Sequence, residues 1–466
     1  MAEFAPTLTS LLDYECPRWF RDAKFGIYLH WGPYSVAERA EWYVRHLYKE
    51  GHPDYLHHCR TYGHPSEFGY KDLIPLWKAE RWDPDALVAL FQRAGAKYFA
   101  PVAVHHDNFD LWDSQHHRWN SVNMGPRKDI TGLWREAALK QGLRFGVTTH
   151  LARSYSWMNT AKGADQSGPK KGVPYDGTDP DYRDLYHEPH PDTDRRQPAN
   201  PPASWRTLWA ARIKDLIDHY HPDHLYFDGA IPFRGEDQGR TGMEVVAHYY
   251  NHNMAQHDGR LEGVMCIKHL DESHGVYRDG VATLDLERRR ADDILPAPWQ
   301  TDTSIGPWGY RAGAEYRPVQ ELVHELVDIV SKNGNVLLNV PPRADGTLDD
   351  ETVARLEGIG QWVGVNGEAI YGTRPWLKAA EGDLRFTRKA GILYVTALAW
   401  PAAGQTLSVR SLACDEGIGP IAQVALLGGD GSLRWGQDQD RLRIVIPETL
   451  PCQHALSFRV EFADRA

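Results

Sequence analysis

Paired cysteines are missing. The five in the 466-residue chain, Cys16, Cys59, Cys266, Cys414 and Cys452, are odd in number, widely scattered and free of any CxxC spacing. A disulfide framework and a thiolate zinc site are both unsupported, and a reducing compartment is expected. Basic runs are missing as well. With a formal net charge of −11 and no Lys/Arg cluster, the chain lacks the concentrated positive surface that nucleic-acid phosphates demand. No stretch approaches roughly eighteen uninterrupted apolar residues. The opening MAEFAPTLTSLLDYECPRWF has neither a basic nor an apolar leader region, so no membrane partner is expected and a cytoplasmic location is. Aromatic residues, by contrast, are plentiful at 11 %, with 17 Trp and 22 Tyr. Such rings fill large cores, but rings in clefts also stack on the apolar faces of sugars. A small neutral substrate suits this balance.

The stretch His224-Leu225-Tyr226-Phe227-Asp228-Gly229 organises the rest. An apolar run ends in a bare carboxylate followed by glycine, which reads as a buried strand delivering Asp228 at its C-terminal tip, where α/β folds gather their active sites. Other strands end the same way. Those expected over 24–30, 97–104, 144–149, 263–268, 282–286 and 300–304 run into or end near His30, His105 and His106, His150, Lys268, Glu287 and Gln300, and an eighth is expected over 335–340. Helices are expected over 86–94, 131–141, 205–219, 243–257, 318–331 and 352–363, with the fifth to seventh units short of them. Two long excursions, 41–82 and 152–202, read as loops over one face. This is the outline of an α/β protein with a TIM-like (β/α)8 barrel over residues 1–365. Short alternating segments between Gly-rich turns follow, and predict a small C-terminal β-sandwich domain over 366–466.

On a barrel the strand-end residues His30, His105, His106, His150, Asp228, Lys268, Glu287 and Gln300 converge on one mouth. One histidine at such a place is ordinary; several on successive strands are not core packing. A metal site is the rival reading, but these histidines lack HExxH or HxH spacing, and no metal or cofactor is expected. For a sugar, two carboxylates suffice: an ionised nucleophile and a proton donor. Asp228 supplies the first. Glu287, Asp302, Asp285 and Glu272 compete for the second.

Several motifs carry a family resemblance: HWGPYS at His30 to Ser35, EWY at Glu41 to Tyr43, the HHD block at His105 to Asp107, YFDG at Tyr226 to Gly229, PWQTDTSIGPWGY at Pro298 to Tyr310, NGNVLLNVPPRADG at Asn333 to Gly346 and NGEAIYGT at Asn366 to Thr373. Together they resemble glycoside hydrolase family 29, the retaining alpha-L-fucosidases, through Thr373. The resemblance implies a catalytic barrel followed by a β-sandwich, and an enzyme that removes terminal α-L-fucosyl groups by double displacement. It makes Asp228 the nucleophile. His30, His105 and His106 would bond fucose hydroxyls, with Glu41 and Trp42 closing the pocket and Trp308 against the C5 methyl. His150 and Tyr226 complete the expected sugar contacts, Tyr226 standing where many members carry tryptophan. In part of the family the proton donor is the Glu of a Trp-Glu pair before the TSIG-like run, and here Gln300 holds that place. Other members place it on the preceding strand, in a context like Leu286-Glu287-Arg288, which makes Glu287 the acid/base. Two alternatives stay open: a fucose-binding relative without turnover, and a retaining glycosidase for a related sugar such as galactose. The expected partner is a fucosylated oligosaccharide or glycoconjugate. A homo-oligomer is compatible with the sequence, and linkage preference is not readable from it.

Overall fold

The computed structural model describes residues 3–191, 197–268, 275–414 and 417–463; Glu272 lies outside them. Nine strands form one all-parallel sheet: β1 Phe25–Tyr28, β2 Tyr98–Phe99, β3 Val102–Val104, β4 Arg144–Thr149, β5 His224–Phe227, β6 Val264–Lys268, β7 Thr283–Asp285, β8 Trp299–Ser304 and β9 Gly334–Asn339. Their order is β2-β1-β9-β8-β7-β6-β5-β4-β3, and β2 also pairs with β4, so the sheet closes on itself. The strand expected over 97–104 is therefore two short ones. Pro101 interrupts it, having no N–H for the ladder, although its carbonyl still accepts from the Thr148 amide at 2.9 Å. The two pieces make one stave, and the barrel is eight-fold.

Side-chain alternation sorts each stave. In β5, His224 and Tyr226 point into the barrel while Leu225 and Phe227 join the core beneath the outer helices. β6 repeats this with Val264 and Cys266 inside, Met265 and Ile267 outside. Continuing the period carries Asp228 and Lys268 to the inner rim. The ring of helices comprises Pro84–Arg93, Ile130–Lys140, Ala203–Tyr220, Arg240–Gln256, Val319–Ser331 and Asp350–Asn366. Among the described residues no helix follows β6 or β7, whereas β8 is followed by Val319–Ser331, so the fifth and sixth units lack their helices and the seventh does not. The two excursions are not open loops. They fold into short helical turns pinned by buried aromatics, among them Tyr43, Tyr70, Trp157 and Tyr186.

Helix Asp350–Asn366, capped by Asp349 at the Thr352 amide, ends the barrel. Strands β10 Arg374–Glu381, β11 Leu384–Lys389, β12 Ile392–Ala397, β13 Thr406–Val409, β14 Ile421–Leu426, β15 Trp435–Gln437, β16 Leu442–Val445 and β17 Leu456–Phe462 then build two antiparallel sheets, ordered β10-β11-β12-β17-β14 and β13-β16-β15. Phe386, Val395, Leu442 and Phe458 fill the space between them. This sandwich docks on the last two barrel helices. Arg385 Nε donates to Asp328 at 2.5 Å and Trp362 Nε1 to the Ala455 carbonyl at 2.9 Å.

Candidate active site

The inner rim closes around a small cavity of about 90 Å³ lined by His30, Glu41, Trp42, His105, His106, His150, Arg153, Asp228, Lys268, Glu287, Asp302 and Trp308. A larger cavity of about 450 Å³ lies outside the barrel wall where the helices are missing, but Tyr14, Leu284, Pro296 and Trp299 make its lining mostly apolar. The chemistry is in the smaller one.

Asp228 leaves β5 at the point where the chain must turn. Gly229 follows with φ +142°, and a Cβ there would meet Gln197 Nε2 at 2.0 Å. Only glycine allows that approach, which lets Gln197 donate to the Asp228 carbonyl at 3.3 Å. The carboxylate is buried, 8 % exposed. Lys268 Nζ donates to its Oδ1 at 2.5 Å, while His106 Nε2 and His150 Nδ1 stand 3.3 Å and Arg153 3.7 Å from Oδ2. Burial would raise the Asp228 pKa, but Lys268, Arg153, His150 and His106 hold it well below the ordinary carboxylate range. It is a permanently ionised group in a dry site, as a nucleophile has to be.

Glu287 faces it across Lys268, whose Nζ lies 2.9 Å from Glu287 Oε2. These contacts put Asp228 Oδ1 and Glu287 Oε2 no more than about 5.4 Å apart, an upper limit compatible with the roughly 5–5.5 Å spacing of a retaining glycosidase pair. Glu287 is also the more open of the two, its side chain 30 % exposed against 9 % for Asp228. Of the neighbouring arginines, Arg288 stacks on the Trp308 ring at 4.2 Å and Arg290 reaches toward Glu325. Below Lys268 sits Asp302, 1 % exposed, accepting from the hydroxyls of Tyr28 and Tyr226 at 2.9 and 3.2 Å. Burial and the adjacent Asp302 push the Asp285 carboxyl well above its usual range.

Three of the histidines are held toward their neutral form. Burial first, with neighbouring imidazoles, depresses His30 and His105 well below 6.5, and burial with Arg153 brings His106 to about 3. His30 Nδ1 donates to Asn339 Oδ1 at 2.9 Å, which also accepts the His30 amide, leaving Nε2 as an acceptor. His106 Nδ1 donates to the His150 carbonyl at 2.7 Å, and its Nε2 lies 3.3 Å from Asp228 Oδ2. The Gly309 amide donates to Glu41 Oε2 at 2.8 Å, and this pins the loop bearing Trp308, whose ring centroid lies 5.4 Å from that of His30. Clusters such as His30–His105–His150 have metal-ligand spacing, but the fixed cations Lys268 and Arg153 already meet Asp228 and oppose a further cation.

The structure brings together every expected site residue except Tyr226. Tyr226 lies one inward position below Asp228, fully buried, under Asp302 rather than on the cavity wall. Gln300 is also absent from the mouth. β8 starts at Trp299, so Gln300 sits at the barrel's lower end, where Tyr98 and His224 approach its Oε1 and its Nε2 donates to Asp285 at 2.8 Å. Asp302, two residues on, takes the rim position instead. Arg153 was missed. It follows the strand-end His150 by three residues, one helical turn, and that spacing was the available signal.

A family model described as Alpha-L-fucosidase matches residues 1–368, and one described as Alpha-L-fucosidase C-terminal domain matches 378–461. The tissue alpha-L-fucosidase of Homo sapiens is 30% identical over 463 residues, covering 96% of this chain and 89% of the human one. A Thermotoga maritima alpha-fucosidase in complex with a mechanism based inhibitor superimposes with a TM-score of 0.77 at 28% identity, over 98% of this chain and 99% of that one. The same enzyme in complex with fucose gives 0.75 at 29% identity, over 98% and 100%.

Proposed function

The chain belongs to the alpha-L-fucosidase family, and from that premise we propose that it hydrolyses terminal α-L-fucosyl linkages with retention, Asp228 acting as nucleophile and Glu287 as acid/base. The observation that carries the assignment is the shared ammonium. Lys268 Nζ lies 2.5 Å from Asp228 and 2.9 Å from Glu287, which supports a closely spaced pair of the retaining kind rather than the wider spacing that leaves room for a water. Glu287 protonates the leaving oxygen as Asp228 attacks the anomeric carbon. The resulting glycosyl ester has lost the aspartate charge. Lys268 then faces Glu287, stabilising the carboxylate that takes a proton from the incoming water.

His30, His105, His106 and His150 bind sugar hydroxyls, Glu41 and Trp42 close the cavity, and Trp308 packs on the C5 methyl. Gln300 lies away from the mouth, so its lack of an acidic proton is no argument for an inactive relative. The five cysteines are all unpaired, which supports a cytoplasmic protein acting on fucosylated oligosaccharides or glycoconjugates.

A 2-fluoro-fucosyl fluoride is expected to label Asp228. Glu287→Ala should lower turnover of natural linkages by about 10²–10⁴-fold, with azide restoring activity in that variant as a fucosyl azide of retained configuration. Labelling of another residue, or full activity in Glu287→Gln, would overturn the assignment.

A further inference from the structure

Helix Ala203–Tyr220 leads into β5 and helix Arg240–Gln256 leads out of the same βα unit toward β6. Both helices end at the lower face of the barrel, since each runs back to the start of a strand. Near those ends they present a second cluster, unrelated to the sugar pocket. His248 and His252 are four residues apart, so they share one face of their helix. Asp218 of the neighbouring helix points between them, with His248 Nε2 2.6 Å and His252 Nδ1 3.2 Å from the same Asp218 Oδ1. Three ligand atoms thus converge from two helices, all within 4.8 Å of one another.

A further contact supports ligation. His252 Nε2 lies 2.7 Å from His221 Nδ1, and the two rings stack 4.9 Å apart at 10°. A histidine that gives one nitrogen to a metal usually has its other N–H held by a partner that fixes the ring, and His221 is in place for that. His221 itself is held by the left-handed turn, φ 46°, that closes the preceding helix. Another trio on the surface shows what a poor site looks like. His46, His52 and Asp54 also cluster, but Arg39 Nε already sits 2.5 Å from Asp54 Oδ1 and would repel a second cation. Among the described residues, the ion-pair partners of Asp218 are imidazoles.

We propose that Asp218, His248 and His252 form a surface site for a divalent transition-metal ion. Two imidazole nitrogens and one carboxylate oxygen suit zinc, nickel or copper over magnesium or calcium, which take all-oxygen sites. Three protein ligands leave one position to water. The ion takes no part in hydrolysis, because its site and the mouth of the barrel lie at opposite ends of β5. It ties the helix before the nucleophile's strand to the helix after it, and stabilises the folded chain by mass action.

The test is calorimetric titration of the EDTA-stripped full chain with zinc chloride, in the wild type and in His248→Ala/His252→Ala. The wild type is expected to bind one more zinc ion than the double variant, and its melting temperature to rise with zinc by more than the variant's does. Asp218→Asn, which keeps the side chain's shape, should weaken the same site at least tenfold. Turnover of an aryl fucoside without metal should be equal in all three. Superimposable titrations of wild type and double variant, or no zinc binding by the wild type, would show a plain His–Asp hydrogen-bond network and overturn the proposal.

Discussion

Lys268 is a buried cation with three carboxylate neighbours. Burial alone would strip its proton, but Asp228, Asp302 and Glu287 hold it charged, its pKa well above the ordinary lysine value. It is in turn the foremost of the groups that keep Asp228 ionised. Lys268→Met removes the charge and keeps the stem. An opposite charge at this range depresses a carboxyl pKa by about 1–3 units, so its loss raises Asp228 by that order. The acid limb of the kcat/KM profile, where the free nucleophile gains its proton, is expected to move to higher pH by about 1–3 units. A limb that stays in place would assign the effect to Arg153 and the histidines. Most of this rim was legible because an apolar run ending in a single polar residue marks where a strand stops. Tyr226 and Gln300 were not, since their depth depends on inward alternation and on the true start of β8, neither of which a residue type reveals.

At the scale of the elements, the eight staves and, among the described residues, the missing helices after β6 and β7 followed from apolar periodicity, but the helix that completes the seventh unit, the break at Pro101 and the compact turns in the two excursions did not. Those turns are held by distant aromatics, Tyr48 and Tyr186 meeting at Asp176 for instance, and no local pattern announces such contacts. Glycine shows how the element decides the effect of one residue. In β1, a Cβ on Gly26 would lie 2.4 Å from the Tyr98 ring of the adjacent stave, a ring whose hydroxyl reaches Gln300 at 3.2 Å. Gly26→Ala is expected to destabilise by about 1–3 kcal/mol through overpacking. Gly364, by contrast, sits exposed in the helix Asp350–Asn366, with no atom within 4 Å of a Cβ. There the same change should stabilise by about 0.5–1 kcal/mol. Urea unfolding of both variants checks the opposite signs, and two changes of like sign would contradict this packing.

The whole molecule carries its buried histidines into a pH dependence. Burial, the largest cause in each, lowers His30, His105, His117 and His187 well below 6.5, His224 to about 4 and His106 to about 3. In the unfolded chain these imidazoles titrate near 6.5. As pH falls from 6.5 toward 4, the unfolded state takes up protons that the folded state refuses, and stability falls. Acids raised by burial act the other way: Asp107 to about 7, Asp110 and Asp176 to about 6, Asp285 well above its usual range and Glu41 also upward hold protons that the unfolded chain releases near pH 4. With His58, which burial lowers as well, seven imidazoles stand against these five carboxyls, each uncompensated one worth up to about 1.4 kcal/mol per pH unit. Asp228 adds to the loss below about pH 4, where the unfolded carboxyl gains a proton that the folded one resists. The melting temperature is therefore expected to fall steadily from pH 6.5 to 4.5, with net proton uptake on unfolding measurable as a dependence of the calorimetric enthalpy on buffer ionisation heat. A flat or rising melting temperature over that range would mean that the fold admits protons to its buried histidines.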